Sequence, residues 1–402
     1  MKTLALLLTL AITCAGFLRA ESKSEPVDFD KARQIFERMK SGGAVTEDEK
    51  AYLERAKAEH GKQQPRASSA DGIDWQKAQA LHQREQGGEK LTADEQAYLD
   101  KAKEARKRGG GGGSSAPANQ RKAPESLKPL SDMSAEDRYE GEDGGLYGGG
   151  KNTPPESLAK SATAALGQIK PIDGKIALVS ISMSNATMEF STFKPIADAD
   201  ARKSDKLTIV DCAQGGQAMA EWVDPDGKPW QEAMQRIERA GVTPAQVRVA
   251  WIKLANKSPG GSMKDHLTKL EADTTKVLQN AKSKFPNLRI AYLGSRIWAG
   301  NAKSGLNPEP YSYESAFGVR HLIQQQMKSE PALAEGKAPL LLWGPYLWAE
   351  GTKGRKLDEL KWEPEDFNND GTHPSESGRE KVARQLLEFF ANDALAKSWF
   401  AK

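Results

Sequence analysis

Five short apolar runs punctuate the second half of the chain: Lys175–Ile181 (KIALVSI), Leu207–Cys212 (LTIVDC), Val247–Lys253 (VRVAWIK), Leu288–Leu293 (LRIAYL) and Pro339–Trp343 (PLLLW). Most are continuously apolar rather than alternating, which suits strands buried on both faces of a parallel sheet. Helical stretches separate them, notably Trp230–Ala240, Met263–Lys284, Tyr313–Lys328 and Ser375–Phe390. Strand–helix alternation predicts a doubly wound α/β domain over residues 151–402, a three-layer αβα sandwich with a five-stranded parallel sheet. In that architecture ligands bind beyond the carboxyl ends of the strands.

The first half follows another pattern. Residues 28–60 and 74–106 align without gaps at an offset of 46, most closely in VTEDEKAYLERAK (from Val45) against LTADEQAYLDKAK (from Leu91). Each copy reads as helix, Gly-containing turn, helix. Thr46 with Glu49, and Thr92 with Glu95, have capping-box spacing, which places a helix start at each Thr. Large apolar residues are few, and solenoids usually need three or more units, so the two hairpins read as a helical spacer. Residues 107–150 follow as a Gly-, Ser- and Pro-rich stretch whose composition predicts a flexible linker. Its Gly-rich end, Tyr139–Gly150, lacks the Lys-Ser/Thr ending of a phosphate loop and is expected to be loop lead-in.

Lys2, the apolar run Leu4–Leu18 and then Ala20 before polar Glu21 describe a secretory signal peptide over residues 1–20, too short for a spanning helix. Secreted or periplasmic localisation follows, without a transmembrane segment. A lipoprotein acylated at Cys14 is the rival, but Ile12 and Thr13 fit that signal poorly. Removing the signal leaves Cys212 as the only thiol, which excludes an internal disulfide and a Cys-based zinc site. Across 402 residues, 58 basic and 55 acidic side chains give a net charge of +3, too balanced for a nucleic-acid partner. A mean hydropathy of −0.66 fits a real core diluted by a polar portion.

Reactive residues stand just after the apolar runs. The first run leads into Ser182-Met183-Ser184-Asn185, where a Ser at a strand-to-helix turn can present its hydroxyl at the sheet edge. The second leads into Gly215-Gly216, whose N–H groups are natural oxyanion donors, and the third into Asn256, whose amide could supply another. Near the C-terminus, Asp370-Gly371-Thr372-His373-Pro374 opens the last helix. Asp370 and His373 are three apart in a turn, so the carboxylate can hold the imidazole while its other nitrogen acts as general base.

This ordered set resembles the SGNH (GDSL-like) hydrolase superfamily, including secreted SGNH-like proteins of planctomycete-type bacteria. The resemblance covers residues 170–392 and implies a flavodoxin-like sheet and a secreted serine esterase needing no cofactor or metal. Ser184, Asp370 and His373 would be catalytic. Ser184, Gly215 or Gly216, and Asn256 would form the oxyanion hole, and the substrate would be a small-molecule or glycan acyl ester, such as an acetylated carbohydrate. Two departures stand out: the family's Gly-Asp-Ser is Ser182-Met183-Ser184 here, and Asn256 is followed by Lys257 rather than Asp. They leave open a non-catalytic binding or scaffold protein on the same fold. Asp366-Phe-Asn368-Asn-Asp370-Gly371 also matches the start of an EF-hand calcium loop, but the twelfth position is Ser377 rather than Glu and Pro364 interrupts the preceding helix.

Overall fold

The structure, a computed structural model, describes residues 45–63, 91–108, 120–253 and 255–402, with eight isolated positions between 31 and 81. The expected signal segment with Cys14, most of the first half of each hairpin and residues 109–119 lie outside the described residues. The chain divides into two units, Met1–Arg108 and Gly109–Lys402. Among the described residues no helix is long and apolar enough to cross a membrane.

In the first unit, helices α1 (Glu47–Gln63) and α2 (Ala93–Arg108) each begin behind a reciprocal cap. The Thr46 N–H donates to Glu49 at 3.0 Å and the Glu49 N–H returns to the Thr46 hydroxyl at 3.3 Å; Thr92 and Glu95 repeat this at 2.9 and 3.3 Å. Among the described residues two separate apolar clusters form. Ala32 and Ile35 pack with Leu53 and Ala56 in one, and Ile73 and Ala78 with Ala102 in the other.

The second unit is built on five parallel strands in the order β2-β1-β3-β4-β5: β1 (Ile176–Ser182), β2 (Leu207–Val210), β3 (Val247–Lys253), β4 (Ile290–Leu293) and β5 (Leu340–Trp343). β1 and β3 are buried at every position, as continuous apolar runs require. The crossovers are α4 (Ser184–Ala199), the short α5 (Met219–Val223) with α6 (Lys228–Arg239), α7 (Met263–Lys284) and α8 (Tyr311–Met327). α3 (Glu156–Gly167) precedes β1, while α9 (Glu376–Asn392) and the short α10 (Lys397–Phe400) close the chain. On one face Phe190 of α4 stacks on Trp251 of β3 at 5.5 Å and Phe193 meets Phe390 of α9; on the other, Trp222 and Trp230 pack edge to face. The second strand stops at Val210, short of the expected Cys212, because the Cys212 and Ala213 N–H groups turn to the Ser180 hydroxyl, at 2.9 and 3.0 Å.

Residues 120–150 depart from the expected flexible linker. They form a strap packed on the α/β unit. Arg121 donates to Glu314 at 2.5 Å, Tyr139 donates to the same carboxylate at 2.9 Å, and the Leu127 N–H donates to Glu350 at 2.9 Å. The Leu146 carbonyl accepts the Trp343 indole at 2.7 Å, and Leu130 and Met133 are buried in the main core. Its glycines mark close packing rather than freedom: a Cβ on Gly144 would lie 2.0 Å from the Met133 carbonyl oxygen.

Candidate active site

The loops after β1, β2 and β3 meet at the carboxyl edge of the sheet. Ser182 pairs with Lys253 across β1 and β3, and the Gln214 N–H donates to the Ser182 carbonyl at 3.1 Å. The chain leaves β1 through Met183, in extended geometry, and turns at once into α4, so Ser184 occupies the first helical position. Asp211 braces that turn. Its carboxylate accepts the Ser180 hydroxyl of β1 and the Thr187 hydroxyl of α4, both at 2.6 Å. Burial raises the Asp211 carboxyl above its ordinary range, with these two hydroxyls opposing the rise.

Opposite Ser184 lies the turn before α9. Phe367 and Pro374 pair antiparallel, and the Asn368 N–H donates to the His373 carbonyl at 2.8 Å, closing the loop that carries Asp370. Gly371 takes a φ of +66°. The Asn185 amide, buried in α4, donates to the Thr372 carbonyl at 2.9 Å and ties the turn to the helix that starts with Ser184. Ser375 then caps α9.

The three side chains form one line. Ser184 Oγ lies 2.8 Å from His373 Nε2, and His373 Nδ1 lies 2.5 Å from Asp370 Oδ2. Asp370 Oδ1 accepts the N–H groups of Thr372 and His373, each at 3.0 Å. Burial alone would raise the Asp370 carboxyl, but the imidazole and those two N–H groups outweigh it and hold it well below the usual carboxylate range. An ionised Asp370 fixes a proton on Nδ1 and leaves the Nε2 lone pair facing Ser184, the arrangement a general base requires.

Gly215 and Gly216 sit exposed in the turn after β2, Gly216 at a φ of +78°. Among the described residues neither N–H finds an acceptor, nor does that of Ser184 at the start of α4. Asn256 lies three residues beyond the Ser182–Lys253 pair; its carbonyl accepts the Asn307 amide, while its own side-chain amide has no partner among the described residues. Ser182 is different in kind. It is fully buried and its hydroxyl donates to the Lys253 carbonyl, a structural bond that leaves no exposed nucleophile. Met183 is buried against Ala218 and Ala255, so the departure from Gly-Asp-Ser fills an apolar contact. Lys257 points to Glu221, 2.5 Å away.

In the loop that resembles the start of a calcium site, both carboxylates have partners. Asp366 takes the Glu363 N–H at 2.8 Å and the Ser377 hydroxyl at 3.0 Å, and Asp370 serves His373. Among the described residues no group of three His, Cys, Asp or Glu could hold a metal. Beside the turn opens a groove of about 680 Å³, lined by Trp298, Asn301, Ala302, Glu350 and Trp362 among others. Asn301 and Ala302 are the residues against which Gly371 lies.

Sequence reasoning did not single out Asn185, Asp211 or Thr187 as parts of this region. Asn185 directly follows the expected nucleophile, and Asp211 directly follows the second strand; a polar residue just past a buried strand was the available signal.

No protein-family model and no curated protein matches the chain. Among solved structures, a Bacteroides fragilis protein described as an acylhydrolase aligns with 60% of this chain and 100% of its own, at 13% identity and a TM-score of 0.33. A Streptococcus pneumonia protein described as a platelet activating factor aligns over 58% of this chain and 92% of its own, at 11% identity and a TM-score of 0.30. The periplasmic domain of a lipopolysaccharide acetyltransferase of Salmonella ser. Paratyphi A covers 57% of this chain and 91% of its own, at 16% identity and a TM-score of 0.28. At scores this low none of the three bears on what this chain does.

Proposed function

We propose that residues 151–402, with the strap that precedes them, are a serine esterase of the SGNH type that hydrolyses an acyl ester. What supports this most is the unbroken line Ser184–His373–Asp370, with both ring nitrogens engaged and the carboxylate kept ionised. Ser184 Oγ attacks the ester carbonyl carbon as its proton passes to His373 Nε2. The tetrahedral oxyanion forms beside the free N–H groups of Ser184 and of Gly215 or Gly216, with the Asn256 amide as a third donor. Collapse breaks the bond to the alkoxy oxygen, which leaves as the alcohol with the proton from His373. Water, deprotonated by the same nitrogen, then releases the acid and restores Ser184. The chemistry draws on no cofactor.

The N-terminal segment 1–20 is assigned as the export signal, so the ester lies outside the cytoplasm, and acetylated carbohydrate is the substrate class to screen. Hydrolysis of a short-chain aryl ester by the purified chain tests the reading. Ser184→Ala and His373→Ala should each abolish it, and the double variant should be scarcely worse, because the residues act as one unit. Undiminished activity in both single variants would overturn the assignment of this site, and no hydrolysis by the wild-type chain would leave a binding protein on the same fold.

A further inference from the structure

Beneath the nucleophile lies a charged cluster that the chemistry above leaves unused. Lys253, the last residue of β3, donates to both oxygens of Glu189 at 2.5 Å, and both side chains are 0% exposed. Arg296, in the loop after β4, is buried near them; among the described residues its Nε and one terminal nitrogen have no hydrogen-bond partner. Burial pulls the Lys253 ammonium down to about 8 and the Arg296 guanidinium down to about 10, against the opposing pull of Glu189 on each. Removing charges from water in this way costs much of what their attraction returns, and well-packed apolar residues of similar volume often serve stability as well or better. Stability is therefore a weak reason for this pair to stand here.

Its placement supplies a better one. Glu189 follows Asn185 by four residues, on the same face of α4. Asn185 grips the His373 turn through the Thr372 carbonyl, so the two residues hold the first turns of α4 at two points. Lys253 meanwhile lends its carbonyl to the Ser182 hydroxyl and is followed, three residues on, by Asn256. A single ion pair thus joins the helix that starts with Ser184 to the strand that delivers Asn256. We propose that the Glu189–Lys253 pair is a positioning device for acyl transfer, fixing α4 against β3 so that Ser184 Oγ stays within reach of His373 while the Asn256 amide faces the oxyanion. This rests on Ser184 being the nucleophile.

The test uses the full chain and the kinetics of p-nitrophenyl acetate hydrolysis. Wild-type turnover that Ser184→Ala abolishes is the reference; without it the reading of the site falls, and the positioning role with it. Given that reference, the double variant Glu189→Gln/Lys253→Met removes both charges of the pair together while keeping side-chain length, and leaves Glu309 as the carboxylate acting on Arg296. It should melt close to wild type yet lose about 10–100-fold in kcat, with KM within about two-fold, since an error of about 1 Å in a reacting group costs on the order of 10²-fold. Glu189→Asp keeps both charges but shortens the reach, and should lose about 3–10-fold in kcat on the same grounds. Wild-type kcat in a folded double variant would overturn the proposal. If the double variant does not fold, Glu189→Asp decides alone: unchanged kcat overturns the positioning role, and a fall in kcat at unchanged KM supports it.

Discussion

Replacing Gly371 by Ala is the smallest change expected to disable the site without touching a reactive group. The residue has a φ of +66°, which costs an L-residue roughly 1–2 kcal/mol. The larger effect is steric. The added Cβ would lie 1.8 Å from the Asn301 carbonyl oxygen, 2.3 Å from its carbon and 3.0 Å from the Ala302 nitrogen, all backbone atoms that cannot swing aside as a side-chain end could. Either the Asn301–Ala302 turn or the Asp370–His373 turn must retreat by about 1 Å, and a displacement of that size in a reacting group costs on the order of 10²-fold in rate. Asp370 is directly exposed to the shift, because its carbonyl accepts the Lys303 N–H at 2.9 Å from the same neighbouring loop. The rest of the fold does not depend on the position, so the overall loss should stay near 2–3 kcal/mol, within the ordinary range for point substitutions. Thermal melting followed by circular dichroism reads the stability, and turnover of an aryl acetate by the folded fraction reads the geometry. A Gly371→Ala chain that melts cooperatively and keeps turnover within about three-fold of wild type would refute the link between this contact and His373.

Three further outcomes are expected. Ser182→Ala should keep most esterase activity and cost about 1 kcal/mol in unfolding free energy, the usual net worth of one buried hydrogen bond, whereas loss of turnover there would mean that the nucleophile has been misassigned. Asp370→Asn should cut turnover by about 10⁴-fold by favouring the wrong imidazole tautomer. The same variant should change the acid limb of stability: because the folded carboxyl is depressed, Asp370 stabilises the protein fully above its unfolded value near pH 4, and that contribution drains away as pH falls toward the folded value, so the wild-type advantage in urea unfolding should shrink below about pH 4. Native limited proteolysis, followed by mass spectrometry of the fragments, should find no cut within residues 120–150; early cleavage there would mean that the strap does not hold to the α/β unit.

The parallel sheet was legible because burial on both faces forces continuous apolar runs, and the third strand's expected bounds coincide with those found, Val247–Lys253. Ser184 and the Asp370–His373 pair could be read from position alone, since each falls where a strand or turn delivers the chain to the sheet's edge. Two features resisted. Composition made residues 120–150 look like linker, because Gly and Pro register as freedom in a sequence even where, as at Gly144, the missing side chain is what lets backbones touch. Lys253 closed an apolar run and could be taken for a solvated strand end. Its burial depends on Glu189, 64 residues earlier, and only the crossover of α4 over the sheet brings the two together.

The strap also decides where the α/β unit begins. A gene fragment opened at residue 151, the boundary suggested by the sequence pattern, would code for all five strands and every reactive side chain. It would nevertheless strip Arg121 and Tyr139 from the carboxylate of Glu314, which is 0% exposed, leaving His266 as its side-chain partner among the described residues. It would also free the buried guanidinium of Arg320 from Glu142 and Asp143, and the Trp343 indole from Leu146. Two opposite charges would then sit in one helix interior without the groups that neutralise them. In terms of inheritance, residues 120–150 belong to the α/β body: a recombination event or a cloning primer that respects the strands but cuts between the strap and α3 hands on a domain with its Ser184–His373–Asp370 line encoded and its α8 side unfinished.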